Sequence, residues 1–572
     1  MNRDVYISGR TIKTKEEFLE ACLEATGGNL DAMQNLYVFA CKLEMESLSG
    51  VFRNCVNLQS VQFIECSFPN LVDTSCMFYG CTSLKYINLP AEMLNVLENT
   101  SCMFYNCTSL VRFTSNATFG ALKVARCMFY NCISLRILEL PNATFGALKV
   151  ATNMFYNCIS LRILELPNAT FALLLIAEGM FYGCKSLEEI IMLKAIFGKL
   201  KNAERMFYGC KLLRIINLLN ATFDELEIGI EMFRGCISLV EIIMPNATFR
   251  LLENGNYMFY DCESIVKIDL SNATFRLLLT ARCMFCGCKS LVIIDLSKAT
   301  FELLIDAFKM FYGCKSLVKI IMPNATFAVL EIAECMFYNC ISIVKIDLSN
   351  ATFELLVNGN YMFCNCMSIT EIDLSNAIFA ALVNAEGMFY YCMSIIEINL
   401  SNATFGLLKI SRYMFCGCKS LVKIDLSSAI FGSLLYADFM FCDCISLVIL
   451  DLSSAIFNSL LNARYMFCGC ISIKIIELQC ASFVSLRIAN HIFYGCTSLV
   501  EIILPNATFE SLENANHMFY GCTILVIIYI PYVDFVALEN IECIFEGCYS
   551  LTIDAVVALG FVFPEDGKQP RE

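Results

Sequence analysis

Histidine occurs only twice in the chain, at His491 and His517, and no glycine-rich phosphate loop or isolated nucleophile stands apart from the rest. Acid–base and nucleophilic chemistry need convergent side chains of defined type, so no catalytic constellation can be assembled and no catalytic, cofactor-binding or metal residue is assigned. Long apolar runs are missing too: no stretch reaches the ~18 uninterrupted residues that a spanning helix requires. Met1-Asn2-Arg3-Asp4 leads into polar residues rather than an apolar run with a cleavage site, so no export signal is expected. Basic charge is short as well. Forty Lys and Arg stand against 54 Asp and Glu, a net charge of −14. That balance argues against nucleic acid and anionic membranes as main partners.

What the chain has instead is repetition. The stretch from Met336 to Tyr361 returns every 26 residues, in twenty copies whose Met-Phe positions begin at 51, 77, 103 and 128 and then run regularly to 544. One step, from 103 to 128, is 25 residues, and there Phe113-Thr114-Ser115 replaces the usual Ile-Asp-Leu-Ser. A fixed period of this length marks stacked supersecondary units, none of which can bury its apolar side alone.

Each column of the repeat has a physical reading. Four residues after the Met position, cysteine occurs in all twenty copies, from Cys55 through Cys340 to Cys548. The residue before it is Gly, Asn or Asp in every copy but that of Tyr391, which predicts a short helical turn closed in a left-handed conformation. Ile343, Ile346 and Leu348 then alternate with Lys345 and Asp347, the period of two of a short strand with one buried face. Ser349-Asn350, or Pro323-Asn324 a copy earlier, ends the strand. Ala351, Phe353, Leu356, Met362 and Phe363 follow at a spacing that suits either helical or irregular extended winding.

The order Leu-x-x-Ile-x-Leu, a polar turn and a closing Met-Phe-x-x-Cys-x-x-Leu resembles the BspA-like leucine-rich repeat proteins, in particular the branch with a 26-residue bacterial surface-protein repeat. The resemblance implies an α/β repeat solenoid, a leucine-rich-repeat array with a parallel β-sheet on one face and short helical turns on the other. It further implies a cell-surface or secreted protein that binds other proteins or host matrix. The missing export signal and the unpaired thiols favour an intracellular setting instead, with the cell surface as the alternative.

Three regions are expected: an N-terminal capping region at 1–50, the solenoid at 51–550, and a C-terminal cap with a polar tail at 551–572. In the cap, Val5-Tyr6-Ile7 and Thr11-Ile12 predict a small hairpin. Thr14 with Glu17 forms a capping box that opens a helix stopped by Gly27-Gly28, and a second helix is expected from about Asp31 to Leu48. Ala555 to Phe563 reads as a final strand.

Most of the 35 cysteines belong to the ladder column, where cysteine serves as a small buried apolar residue. Five Cys-x-Cys pairs (Cys286/Cys288, Cys364/Cys366, Cys416/Cys418, Cys442/Cys444 and Cys468/Cys470) raise a cysteine-rich metal-binding array as the alternative function. The plainer account is that cysteine shares a column held elsewhere by tyrosine. Both histidines occupy one column of neighbouring copies. Asn-Ala-Thr tripeptides such as those at Asn142, Asn272 and Asn506 match a glycosylation acceptor, but a turn-supporting asparagine explains their recurrence.

The outward strand positions carry the functional expectation. Asp269, Asp295, Asp347, Asp373, Asp425, Asp451 and Glu477 form one acidic column, and Lys267, Lys345 and Lys423 stand two positions back on the same face. Like charges on neighbouring strands repel, and a cationic partner relieves that repulsion. These residues are the candidate partner-binding set of a non-enzymatic scaffold whose protein ligand presents a basic surface. No cofactor is expected.

Overall fold

The computed structural model describes residues 4–530 and 537–552, so the expected strand at Ala555 to Phe563 and the polar tail lie outside the described residues. These residues fall into two compact units, the first ending at Leu278 and taking in Gly287–Lys298, the second made of Leu279–Cys286 and the chain from Ala299 on. Each unit is a parallel β-solenoid in which one repeat makes one rung.

Every rung from Arg112–Thr114 to Ile527–Tyr529 contributes a strand of only three residues, for example Lys267–Asp269 in the first unit and Lys345–Asp347 in the second. The strands pair in parallel and in register, Ile268 beside Ile294 and Ile346 beside Ile372. Alternation is as the period of two demands: Ile343, Ile346 and Leu348 are buried, while Lys345 is exposed. Where an Asp or Asn ends the strand, it turns the chain. Its carboxylate or amide oxygen accepts the backbone N–H two residues on.

Around the rest of the rung the backbone winds through hydrogen-bonded turns, with one short helix, Ala91–Val96, among the described rungs from Val51 on. In the segment Thr74 to Cys81 the N–H groups of Met77, Tyr79 and Cys81 close turns within the rung. Those of Thr74, Cys76, Phe78 and Gly80 donate instead to Asn99, Ser101, Met103 and Tyr105 on the next rung. The backbone there is satisfied by a second ladder, and this accounting leaves no N–H for a helix. Left-handed residues make it feasible. Asn339 has φ 62, as the Gly/Asn/Asp column predicts, but Cys335 (φ 56) and Phe353 (φ 47) are left-handed as well.

Two phenylalanine stacks fill the core. In the first unit Phe155, Phe181 and Phe207 lie 5.4 and 5.3 Å apart, and in the second Phe311, Phe337 and Phe363 repeat this at 5.3 and 5.4 Å. A further row runs through Phe353, Phe379 and Phe405 at 5.5 and 5.6 Å. Each such pair is worth about 0.5–1.5 kcal/mol beyond its area burial. The ladder cysteines have a specific task here: Cys340 Sγ donates to the Phe311 carbonyl at 3.1 Å, and the same bond recurs at Cys158, Cys236, Cys392 and Cys470.

The N-terminal region corrects two expectations. Its helix is present at Lys15–Thr26, with Thr14 accepting from the Glu17 N–H at 3.2 Å and Gly27 left-handed at the other end. The hairpin is not: Asp4–Ser8 pairs in parallel with Asn35–Phe39, and Thr11–Ile12 with Lys42–Leu43. The second helix is replaced by a 3-10 turn, Leu30–Ala32, followed by those strands. Leu36 and Val38 are buried while Asn35, Tyr37 and Phe39 are partly covered, a period of two that suits an added solenoid rung. Asn35–Phe39 pairs on its other side with Ser60–Ile64, so this region extends the parallel sheet.

Candidate functional site

The structure assembles the acidic column in pieces. Asp269 stands beside Asp295 in the first unit. In the second, Asp347 neighbours Asp373, and Asp425 neighbours Asp451. Glu477 faces Ile503 rather than another acid. The lysines stand at the first position of their strands, and two of them pair with acids of neighbouring rungs. Lys345 Nζ lies 2.6 Å from Glu371 and Lys423 Nζ lies 2.9 Å from Glu397. Lys267 is exposed beside Ile293.

Aspartate recurs in this column because it closes the turn that follows the strand. Asp347 Oδ1 accepts both the Ser349 N–H at 3.1 Å and the Ser349 hydroxyl at 2.7 Å, and Asp269 with Ser271 and Asp425 with Ser427 do the same. Asp295, Asp373 and Asp451 accept the backbone N–H of Ser297, Ser375 and Ser453. The Ser349 hydroxyl, followed by the Ser349 N–H, holds the Asp347 carboxyl below its usual range. The signal was readable as Asp-Leu-Ser, an Asx turn with its acceptor and donor two residues apart. The acids are thus held in fixed orientation at the strand ends.

Exposed apolar side chains precede the strands. Val344, Ile396, Val422 and Val448, three positions before the strand-end column, are exposed on successive or near-successive rungs of the second unit. The second unit therefore presents exposed apolar residues just ahead of strands that end in turn-bound Asp or Asn.

Other candidates resolve into structural roles. Of the Cys-x-Cys positions, Cys286, Cys364, Cys416 and Cys442 are buried. Among the described residues no group of three or more His, Cys, Asp or Glu side chains is placed to hold a metal ion. His491 and His517 do touch, with ring centroids 4.7 Å apart, and they continue an aromatic row from Phe439 and Tyr465. Asparagines of the Asn-Ala-Thr tripeptides hold the turns together: Asn272 Nδ2 donates to the Pro245 carbonyl and Asn506 Nδ2 to that of Gln479, both at 2.6 Å. No helix among the described residues is long and apolar enough to cross a membrane.

Short in-register strands, a cysteine–phenylalanine core and a turn-bound polar edge define a leucine-rich-repeat solenoid. The chain belongs to the BspA type leucine rich repeat family, whose model matches six times, at residues 48–142, 101–225, 203–310, 305–385, 384–482 and 462–554. No curated protein matches. Solved structures similar to it include a leucine rich cell surface protein from Faecalibacterium prausnitzii A2-165, at 16% identity and TM-score 0.25, covering 87% of this chain and 83% of that one. The T. pallidum leucine rich repeat protein is similar at 19% identity and TM-score 0.22, over 38% of this chain and 78% of its own. The TLR13–ssRNA13 complex is similar at 16% identity and TM-score 0.26, over 89% and 75%.

Proposed function

We propose that this chain is a non-enzymatic scaffold that binds a protein partner through the strand face of its second unit, and that the partner presents a basic surface. The observation that carries this reading is the exposed apolar row at Val344, Ile396, Val422 and Val448, together with Asp347, Asp373, Asp425 and Asp451 in the column three positions further on. Apolar contact area supplies affinity, and oriented charges supply register and rate of encounter. Lys345 and Lys423 are engaged by Glu371 and Glu397, which leaves the aspartate column as the charge offered to a partner. Family membership supports adhesion at a cell surface as the setting.

The test exchanges Asp347, Asp373, Asp425 and Asp451 for Asn and compares capture from a lysate at low and moderate salt. Asn399 already occupies this column and accepts the Ser401 N–H at 3.1 Å, so the turns survive the exchange. The expected result is a captured protein with a basic surface that is lost both in the variant and on raising salt. Equal capture by the variant at both salts would place the interface elsewhere.

A further inference from the structure

Two residues after the Met position, tyrosine occupies six successive rungs of the first unit. Tyr79, Tyr105, Tyr130, Tyr156, Tyr182 and Tyr208 lie face to face with ring centroids 4.4–4.7 Å apart. Arginines close both ends of the row, Arg53 at 4.6 Å over Tyr79 and Arg234 at 5.7 Å over Tyr208. The ring faces are therefore taken, and the row presents edges and phenol oxygens.

Beside this row the column just before the Met position varies in size: it holds Tyr257 in the same unit and Tyr361, Tyr413 and Tyr465 elsewhere, but Cys76, Cys102 and Cys127 on the rungs before. On two successive rungs it holds Asn153 and Gly179, and a slot of about 440 Å³ opens there against the phenols of Tyr130, Tyr156, Tyr182 and Tyr208. Gly179 is left-handed at φ 58, and a Cβ on it would lie 2.1 Å from Asn153 Oδ1, so no other residue fits without displacing that amide. Glu178 lines the slot, and Arg205 with Glu231 completes its lining. Arg205 Nη1 meets Glu204 at 3.0 Å and its Nε meets Glu231 at 2.5 Å, while Arg234 also pairs with Glu231.

This inventory narrows the ligand. The guanidinium is matched by carboxylates, so a free anion gains little there. Backbone N–H groups of Asn153, Gly179 and Arg205 are spent on the next rung, at Glu178, Glu204 and Ile230; no open strand edge receives a peptide. Burial raises the phenol pKa values of Tyr130, Tyr156 and Tyr182, which also hydrogen-bond to one another along the row, so these groups stay protonated and keep acceptor lone pairs for a ligand. A regularly spaced row of hydroxyls with one amide and one carboxylate complements a ligand that itself carries regularly spaced hydroxyls.

We propose that the slot binds a neutral oligosaccharide, with Tyr156, Tyr182, Asn153 and Glu178 contacting its hydroxyl groups. The volume falls within the roughly 300–1,000 Å³ of small-ligand sites. The test titrates the full chain calorimetrically, up to millimolar concentration, with cellotetraose, maltotetraose and tetra-N-acetylchitotetraose, and in parallel with tetralysine. One saccharide should bind at one site per chain. Asn153→Tyr places in the slot a side chain that the same column carries on other rungs, and should weaken binding by about tenfold or more. Tyr182→Phe keeps the ring row, removes one hydroxyl and should weaken binding less. Melting by circular dichroism confirms that both variants fold. Absence of binding by all three saccharides overturns the proposal, as does saccharide binding that Asn153→Tyr leaves unchanged. Binding of tetralysine alone, abolished by that variant, would make the slot a basic-peptide site and overturn it equally.

Discussion

At the scale of single residues, the ladder cysteine is chosen for two properties together. Its side chain is small enough for the packed interior, and its thiol reaches a carbonyl that already accepts one backbone bond: Phe311 O takes both the Cys314 N–H and the Cys340 thiol. Cys340→Ala should cost about 1 kcal/mol through the lost bond and small void. Cys340→Asp should cost several kcal/mol, because a charge in that place has no partner. Chemical denaturation of the two variants checks the ranking, and equal midpoints would show that the site is not closed to water. His491 makes a pH prediction. Burial first, then the charge of His517 and that of Arg464, lowers its pKa below the ordinary imidazole value. Tyr465, Tyr494 and the Asn490 amide complete its surroundings. The neutral ring is favoured by the fold, so its contribution is intact above the ordinary value and declines as pH falls through that range. His491→Phe, which copies Phe439 of the same column, should flatten the decline in melting temperature between neutral and mildly acidic pH.

At the scale of elements, the irregular copy shows how the solenoid absorbs a missing residue. Arg112–Thr114 still pairs in register with Ile137–Glu139. The deletion falls just after the strand, where Ser115 Oγ accepts the Ala117 N–H at 3.1 Å and rebuilds a tight turn. The preceding copy carries a short helix, Ala91–Val96, and Asn95 Oδ1 there accepts both the backbone N–H and the hydroxyl of Thr118, at 2.7 and 3.0 Å. Asn95→Ala should therefore destabilise by roughly 1 kcal/mol, measured by urea unfolding, whereas substituting an exposed residue nearby should not. Columns that repeat were legible because each recurrence confirms the others, as with Ile343, Ile346 and Leu348. The N-terminal rung has no copies to align with, and its period-two residues Leu36 and Val38 sit inside a segment long enough to suggest a helix. The left-handed Phe353 was hidden for another reason. Side chains with a Cβ avoid that conformation at a cost of about 1–2 kcal/mol, and here packing between Phe327 and Phe379 holds it in place. The tyrosine-lined slot was not legible, because the column of Asn153 and Gly179 switches between small residues such as Cys127 and large ones such as Tyr257.

At the scale of the whole molecule, cysteine placement governs how the protein meets thiol reagents. Cys480 is exposed, a few others are half-buried, and the ladder positions are enclosed. Native labelling followed by mass spectrometry should modify Cys480 first, with ladder cysteines such as Cys158 and Cys470 reacting only on unfolding. Rapid native labelling of the ladder would show that rungs open locally. The tyrosine row has an optical consequence. The chain contains no tryptophan, so its near-ultraviolet absorption and emission belong chiefly to tyrosine, and six parallel rings at 4.4–4.7 Å are close enough for their transition dipoles to couple. The first unit thus carries its own chromophore array, and its near-ultraviolet circular dichroism should report the integrity of those rungs without any attached label.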